Sequence, residues 1–147
     1  MYTNVGELDA ERYVSLTTRR RNGTLASTPV WVVSDDGVRL LVWTGASTWK
    51  VRRIRCDPRV FVAASDYCGR ERSPRLAAVA RALGPDAASV VDPLLRRKYG
   101  WQRRLLELKA RLNRSDGHAA YLEIAPADDA EAVSRPASRA APRGYTA

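Results

Sequence analysis

The dipeptide Asn22-Gly23 lies between two runs rich in β-branched residues, 14–20 (VSLTTRR) and 24–34 (TLASTPVWVVS). Asn-Gly in that setting is the strongest short-range signal for a β-hairpin, and it commits this part of the chain to antiparallel pairing. A second tight turn, Asp35-Asp36-Gly37, leads into the apolar run 38–43, so three strands form a meander. Pro29 falls inside the second of them. It has no N–H to give a ladder, so an edge, a bulge or backbone facing something else is expected there.

The stretch 44–62 (TGASTWKVRRIRCDPRVFV) comes next and reads as strand, cap, short basic helix, stop and strand. Ser47 or Thr48 can cap the helix with a hydroxyl, and Pro58 ends it after about two turns. Free N–H groups, hydroxyls and the positive end of the helix dipole then collect beside Lys50, with Arg53 one turn further on. Such a cluster suits a phosphate. Val51 and Ile54 face the other way and would pin the helix to the sheet. The plainer reading, a solvated basic helix that serves solubility, fits the spacing equally well.

Further along, 60–65 (VFVAAS) is a fourth strand and 66–74 a polar turn around Gly69. The run 75–83 (RLAAVARAL) has the alanines of a helix, yet it alternates and is closed by Gly84-Pro85 at strand length; a fifth strand is expected. A helix over 86–99 should be capped by Asp86, kinked or restarted at Pro93, and stopped by Gly100. A second helix over 101–113 and a final strand over 118–124 follow, and a short amphipathic helix precedes everything at 7–13. The expected architecture is mainly β with inserted helices, a six-stranded antiparallel barrel that removes its own edges. It forms one domain over 1–125, with a disordered tail over 126–147.

Charge and composition restrict the partners. Lys and Arg number 25 against 16 Asp and Glu, a net +9, which favours an anionic ligand without choosing one. Two cysteines, Cys56 and Cys68, and one histidine, His118, make neither a disulfide framework nor a zinc site. No paired carboxylates, nucleophile elbow or other catalytic constellation is visible, so any redox chemistry would belong to a cofactor. The apolar runs are strand-sized and the N-terminus is polar, from which a cytoplasmic protein is expected.

Three elements taken in order, the Thr28-Pro29-Val30-Trp31 strand, the Thr44-Gly45 to Ile54 segment and Lys98-Tyr99-Gly100, carry a resemblance. The chain resembles the pyridoxamine 5′-phosphate oxidase-like proteins, the split β-barrel flavin and deazaflavin oxidoreductases. Within them it looks most like the actinobacterial coenzyme F-420-dependent branch. The resemblance spans roughly 7–124 and implies a homodimer with the cofactor in a groove between protomers. It also implies that Lys50 and Arg53 meet the cofactor phosphate, helped by Ser47 or Thr48. Thr28, Pro29, Val30 and Trp31 would line the ring system through their backbone, with Thr44 flanking it. Hydride transfer to a small organic acceptor is the activity implied. F-420 is favoured over FMN because Arg52, Arg55 and the arginines of the last helices suit its phosphodiester and oligoglutamate tail.

Two rivals remain at this level. A basic barrel can hold single-stranded nucleic acid, though the tryptophans here sit within apolar runs and are not spaced along a basic strand. The same fold can also bind a flavin, haem or bilin without catalysis. Trp31, Trp43, Trp49 and Trp101 read chiefly as core or interface anchors, and Tyr99 as a helix-end packing residue.

Overall fold

A computed structural model describes residues 2–45, 49–100 and 119–127. Seven strands form one antiparallel sheet: β1 Tyr13–Arg19, β2 Leu25–Val30, β3 Val32–Val33, β4 Leu40–Gly45, β5 Arg59–Ser65, β6 Leu76–Leu83 and β7 Ala119–Pro126. Their order is β2-β1-β5-β6-β7-β4-β3. The hairpin between β1 and β2 closes where Arg20 N–H donates to Thr24 O at 2.7 Å. Its three-residue loop places Gly23 at φ 90°, a conformation that glycine adopts without strain.

Six strands closed into a barrel were expected; the sheet has seven strands and its ladder is not closed. The difference arises at one residue. The expected second strand divides at Trp31, so that Val30 pairs with Val14 while Val32 pairs with Val42. One continuous stretch therefore forms both edges of the sheet, which curls until its first and last strands meet at Trp31. Pro29 lies opposite Ser15 in β2. With Arg20 and Thr24 hydrogen-bonded, alternation along the ladder turns the Pro29 nitrogen towards the open edge, where a missing N–H forfeits no bond.

The two faces of the sheet carry separate cores. Val14, Leu16, Val30, Val42, Val62, Ala80, Leu122 and Ile124 cluster on the inner face, where Val51 and Ile54 of α1 (Trp49–Cys56) join them. On the outer face α2 (Ala88–Tyr99) brings Val91, Leu95 and Tyr99 down onto Trp31, Leu41, Trp43 and Tyr121. The alanine-rich run is β6, as expected. Ala78 and Ala80 are buried against the inner cluster, and tertiary burial outweighs their helical preference.

Other details depart from expectation. The helix expected near the N-terminus is a 3-10 helix over Val5–Ala10, capped by the Asn4 side chain, which accepts the Gly6 N–H at 2.9 Å. A Cβ on Gly6 would run into the Gly37 carbonyl, so this turn sits tightly on the Asp35–Gly37 loop. Asp86 does not cap α2: it lies in a 3-10 turn, Pro85–Ala87, and Ala87 holds the cap position with no side-chain bond. Pro93 is accommodated inside an unbroken helix, which Gly100 ends at φ 67°. β7, described from Ala119, runs on past the expected end at Ile124 to Pro126, and His118 lies outside the described residues. The helix expected over 101–113, and the tail beyond 127, lie outside the described residues.

A buried ion pair fastens the middle of the sheet. Arg81 on β6 and Glu123 on β7 are register partners, and their side chains meet at 2.6 Å with 11% and 3% of their surface exposed. Removing one member leaves a buried charge unpaired, which costs about 3–5 kcal/mol. Arg81→Ala should lower the stability measured by urea unfolding by an amount in that range. Replacing both residues with leucine should lower it by less.

Candidate functional site

Helix α1 leaves the end of β4 and is held by Val51 and Ile54, which are 0% and 2% exposed. Its end is fixed by Asp57, whose N–H donates to Arg53 O at 2.7 Å. The Asp57 carboxylate accepts from the Arg59 guanidinium at 2.9 Å and pairs with Arg19 at 3.5 Å. Those cations, Arg59 first, hold its carboxyl below the usual carboxylate range. The helix end thus sits against the turn end of the β1–β2 hairpin.

Lys50 lies on the flank of α1 beside Ile54 and is half-buried. Burial, and secondarily the Arg53 guanidinium, lower its pKa from the ordinary lysine value. No carboxylate among the described residues pairs with it. A partly desolvated ammonium with a second cation beside it is stabilised by an anion placed against both.

On the solvent side, Trp49, Arg52, Arg53 and Cys56 recur at helical spacing and form one wall of a groove of about 870 Å³. The opposite wall is the hairpin tip, Arg19 to Gly23, and Asp57 lies between. Trp49 is 66% exposed, with the Arg52 guanidinium over its ring at 5.1 Å from the centroid. Arg19 is tied to Asp57, and Arg20 donates to Leu25 O at 3.1 Å. Arg21, Arg52 and Arg53 pair with no carboxylate among the described residues. Arg53 belongs both to this groove and to the surroundings of Lys50.

The remaining sequence candidates fall into three places. Thr28 is opposite Leu16 and Val30 opposite Val14, which puts both on the inner face of the edge strand β2. Thr44, 5% exposed, lies next to the end of β4 on the same face as Val42. Pro29 points to the outer side, where the Asp66–Arg70 turn rests on it: a Cβ on Gly69 would lie 3.2 Å from Pro29 Cδ. The Trp31 ring stacks on Tyr99 with centroids 4.4 Å apart, so its side chain packs into the outer core. Ser47 and Thr48 lie outside the described residues. Arginines 19–21 were not singled out from the sequence, although three cations just before Asn-Gly mark a hairpin tip that must be satisfied by solvent or by a ligand. Among the described residues no group of His, Cys, Asp and Glu could hold a metal, and no helix is long and apolar enough to cross a membrane.

Solved structures share this architecture. A conserved hypothetical protein from Mycobacterium tuberculosis superposes with a TM-score of 0.58 at 21% identity, over 84% of this chain and 78% of its own. A protein described as an F-420 reductase gives 0.57 at 20% identity, over 86% and 94%. A pyridoxamine 5′-phosphate oxidase-related, FMN-binding protein from Nostoc punctiforme gives 0.52 at 17%, over 78% and 70%. The chain has the pyridoxamine 5′-phosphate oxidase-like fold. At these identities the likeness is one of fold, and no family model and no curated protein matches the sequence.

The lowered pKa of Lys50 has consequences of opposite sign for folding and for binding. Its protonated form opposes folding at neutral pH, and that opposition fades as pH rises from the lowered pKa to the ordinary lysine value. An anion needs the protonated form, so its affinity should fall over the same window. At pH 7, Lys50→Met should raise the melting temperature of the ligand-free protein. It should also weaken phosphate binding by ten- to a hundredfold, the usual range for a charge-assisted bond of about 1.5–3 kcal/mol. Differential scanning calorimetry with and without phosphate checks both.

Proposed function

We propose that the chain is an oxidoreductase that binds the deazaflavin coenzyme F-420 and passes hydride to a small organic acceptor. The observation that carries this reading is the half-buried Lys50 with Arg53 beside it, and Arg53 in turn lines a groove with further arginines. In this reading Lys50 and Arg53, with Ser47 and Thr48, hold the phosphate. The backbone of Thr28, Pro29, Val30 and Trp31 lines the ring system, and Thr44 flanks it. The resemblance of these segments to the F-420-dependent branch supports the assignment, as does the shared fold. The same resemblance supports a homodimer that completes the site.

The bound deazaflavin would supply the hydride chemistry. The protein's part is to neutralise the phosphate, orient the ring along the β2 edge and keep water from it. The choice of F-420 over FMN rests on the groove. FMN ends at its phosphate, whereas F-420 continues through a phosphodiester into a chain of carboxylates. Arg21, Arg52 and Arg53, unpaired with any described acid, face the space that such a chain would occupy. The Arg52 guanidinium already lies over the Trp49 ring, a contact that leaves its N–H donors unused.

Titration of the purified protein with F-420 and separately with FMN, followed by cofactor fluorescence, tests the reading. F-420 should bind at micromolar or tighter concentration and FMN more weakly. The pair Arg21→Ser and Arg52→Ala should weaken F-420 by at least tenfold and leave FMN nearly unchanged. A preference for FMN that is insensitive to both substitutions would overturn the F-420 assignment, and binding of neither would overturn the cofactor reading altogether.

A further inference from the structure

Lys98 and Tyr99, at the end of α2, reach across to the single break between β2 and β3. The Tyr99 hydroxyl accepts the Val32 N–H at 3.0 Å and donates to Arg12 O at 2.8 Å. Lys98 Nζ donates to Val32 O and to Glu11 O, each at 2.7 Å, and lies 3.4 Å from the Asp9 carboxylate. That carboxylate also accepts the Ser34 N–H at 3.0 Å. Both backbone groups of Val32 on the side away from β4 are therefore met by side chains, which take the place of a neighbouring strand. The Trp31 ring, stacked on Tyr99 with 11° between the planes, removes the remaining freedom of the junction. Lys98 has its three donors directed at three acceptors, and Tyr99 uses its one donor and one lone pair, so neither group is left to act on a substrate.

We propose that Lys98 and Tyr99 are positioning residues for the ring site: they set the path of the chain from Pro29 to Val32 and so the orientation of the backbone along which the cofactor ring lies. This inference rests on the cofactor reading above. It gives the Lys-Tyr-Gly motif a role at a distance, with Gly100 ending the helix so that both side chains turn inward. The same contacts seal the edge of β3 like a latch.

The experiment compares Tyr99→Phe, Lys98→Met and Val91→Ala in the full chain. Phenylalanine keeps the stack on Trp31 and removes the hydroxyl. Val91, fully buried under α2, serves as a control for lost stability alone. Melting temperature, affinity for F-420 and FMN, and the visible circular dichroism of the bound cofactor are measured for each. Tyr99→Phe and Lys98→Met should bind at least tenfold more weakly with an altered visible spectrum. Lys98→Arg should recover part of the loss, and Val91→Ala should bind as the parent does despite its lower melting temperature. Equal losses in Val91→Ala, or unchanged binding and spectrum in Tyr99→Phe and Lys98→Met, would overturn the positioning role while leaving the cofactor reading intact. Failure of the parent protein to bind either cofactor would overturn both.

Discussion

Between Val30 and Val32 the chain changes partners, leaving β1 for β4, and the curvature of the whole sheet follows from that exchange. A strand that serves two edges leaves its backbone polar groups exposed at the crossing, where burial without partners would be prohibitive. The protein meets the demand from the far end of α2 through Lys98 and Tyr99. The inner core, the outer core and the open edge of β2 are all defined relative to this point. Pro29 belongs to the same solution, since its nitrogen faces the one direction in which no ladder is asked for.

The second organising force is the uneven placement of cations. A net charge of +9 could be spread over the surface, yet a large part of it is gathered on two facing walls, the hairpin tip and one face of α1. Acids meet some of these cations and not others. Asp57 takes Arg19 and Arg59, and Glu123 takes Arg81, while Lys50, Arg21, Arg52 and Arg53 have no carboxylate among the described residues. Like charges held close without counter-charges raise the free energy of the ligand-free state. An anion placed among them would lower it.

Much of this was legible in the residues because the signals were local. Asn22-Gly23 marked the hairpin, Gly84-Pro85 cut the alanine run to strand length, and the spacing of Val51 and Ile54 gave the buried side of α1. The division at Trp31 was not legible, because a stretch that alternates correctly for a strand says nothing about which neighbour each half will take. Lys98 and Tyr99 were visible as a motif, but their partner Val32 lies 66 and 67 residues away, and no pattern along the chain encodes that separation. The capping role read into Asp86 failed because the preceding turn tightened into 3-10 geometry and moved the helix start past it. In the groove, the helical wall was foreseen as a basic face, whereas the hairpin wall passed as ordinary flanking charge.

The two walls of the groove have one more property in common: Arg21, Trp49, Arg52 and Cys56 belong to neither core cluster. Their exchange for other residues therefore leaves the packing of the sheet nearly untouched, as surface substitutions usually do. Selection acting on such a chain meets little conflict between keeping the fold and changing the ligand. The fold tolerates change along the groove walls and little at the Val32 junction, so the charge that the groove presents can be retuned by a few substitutions in a hairpin tip and one helical face.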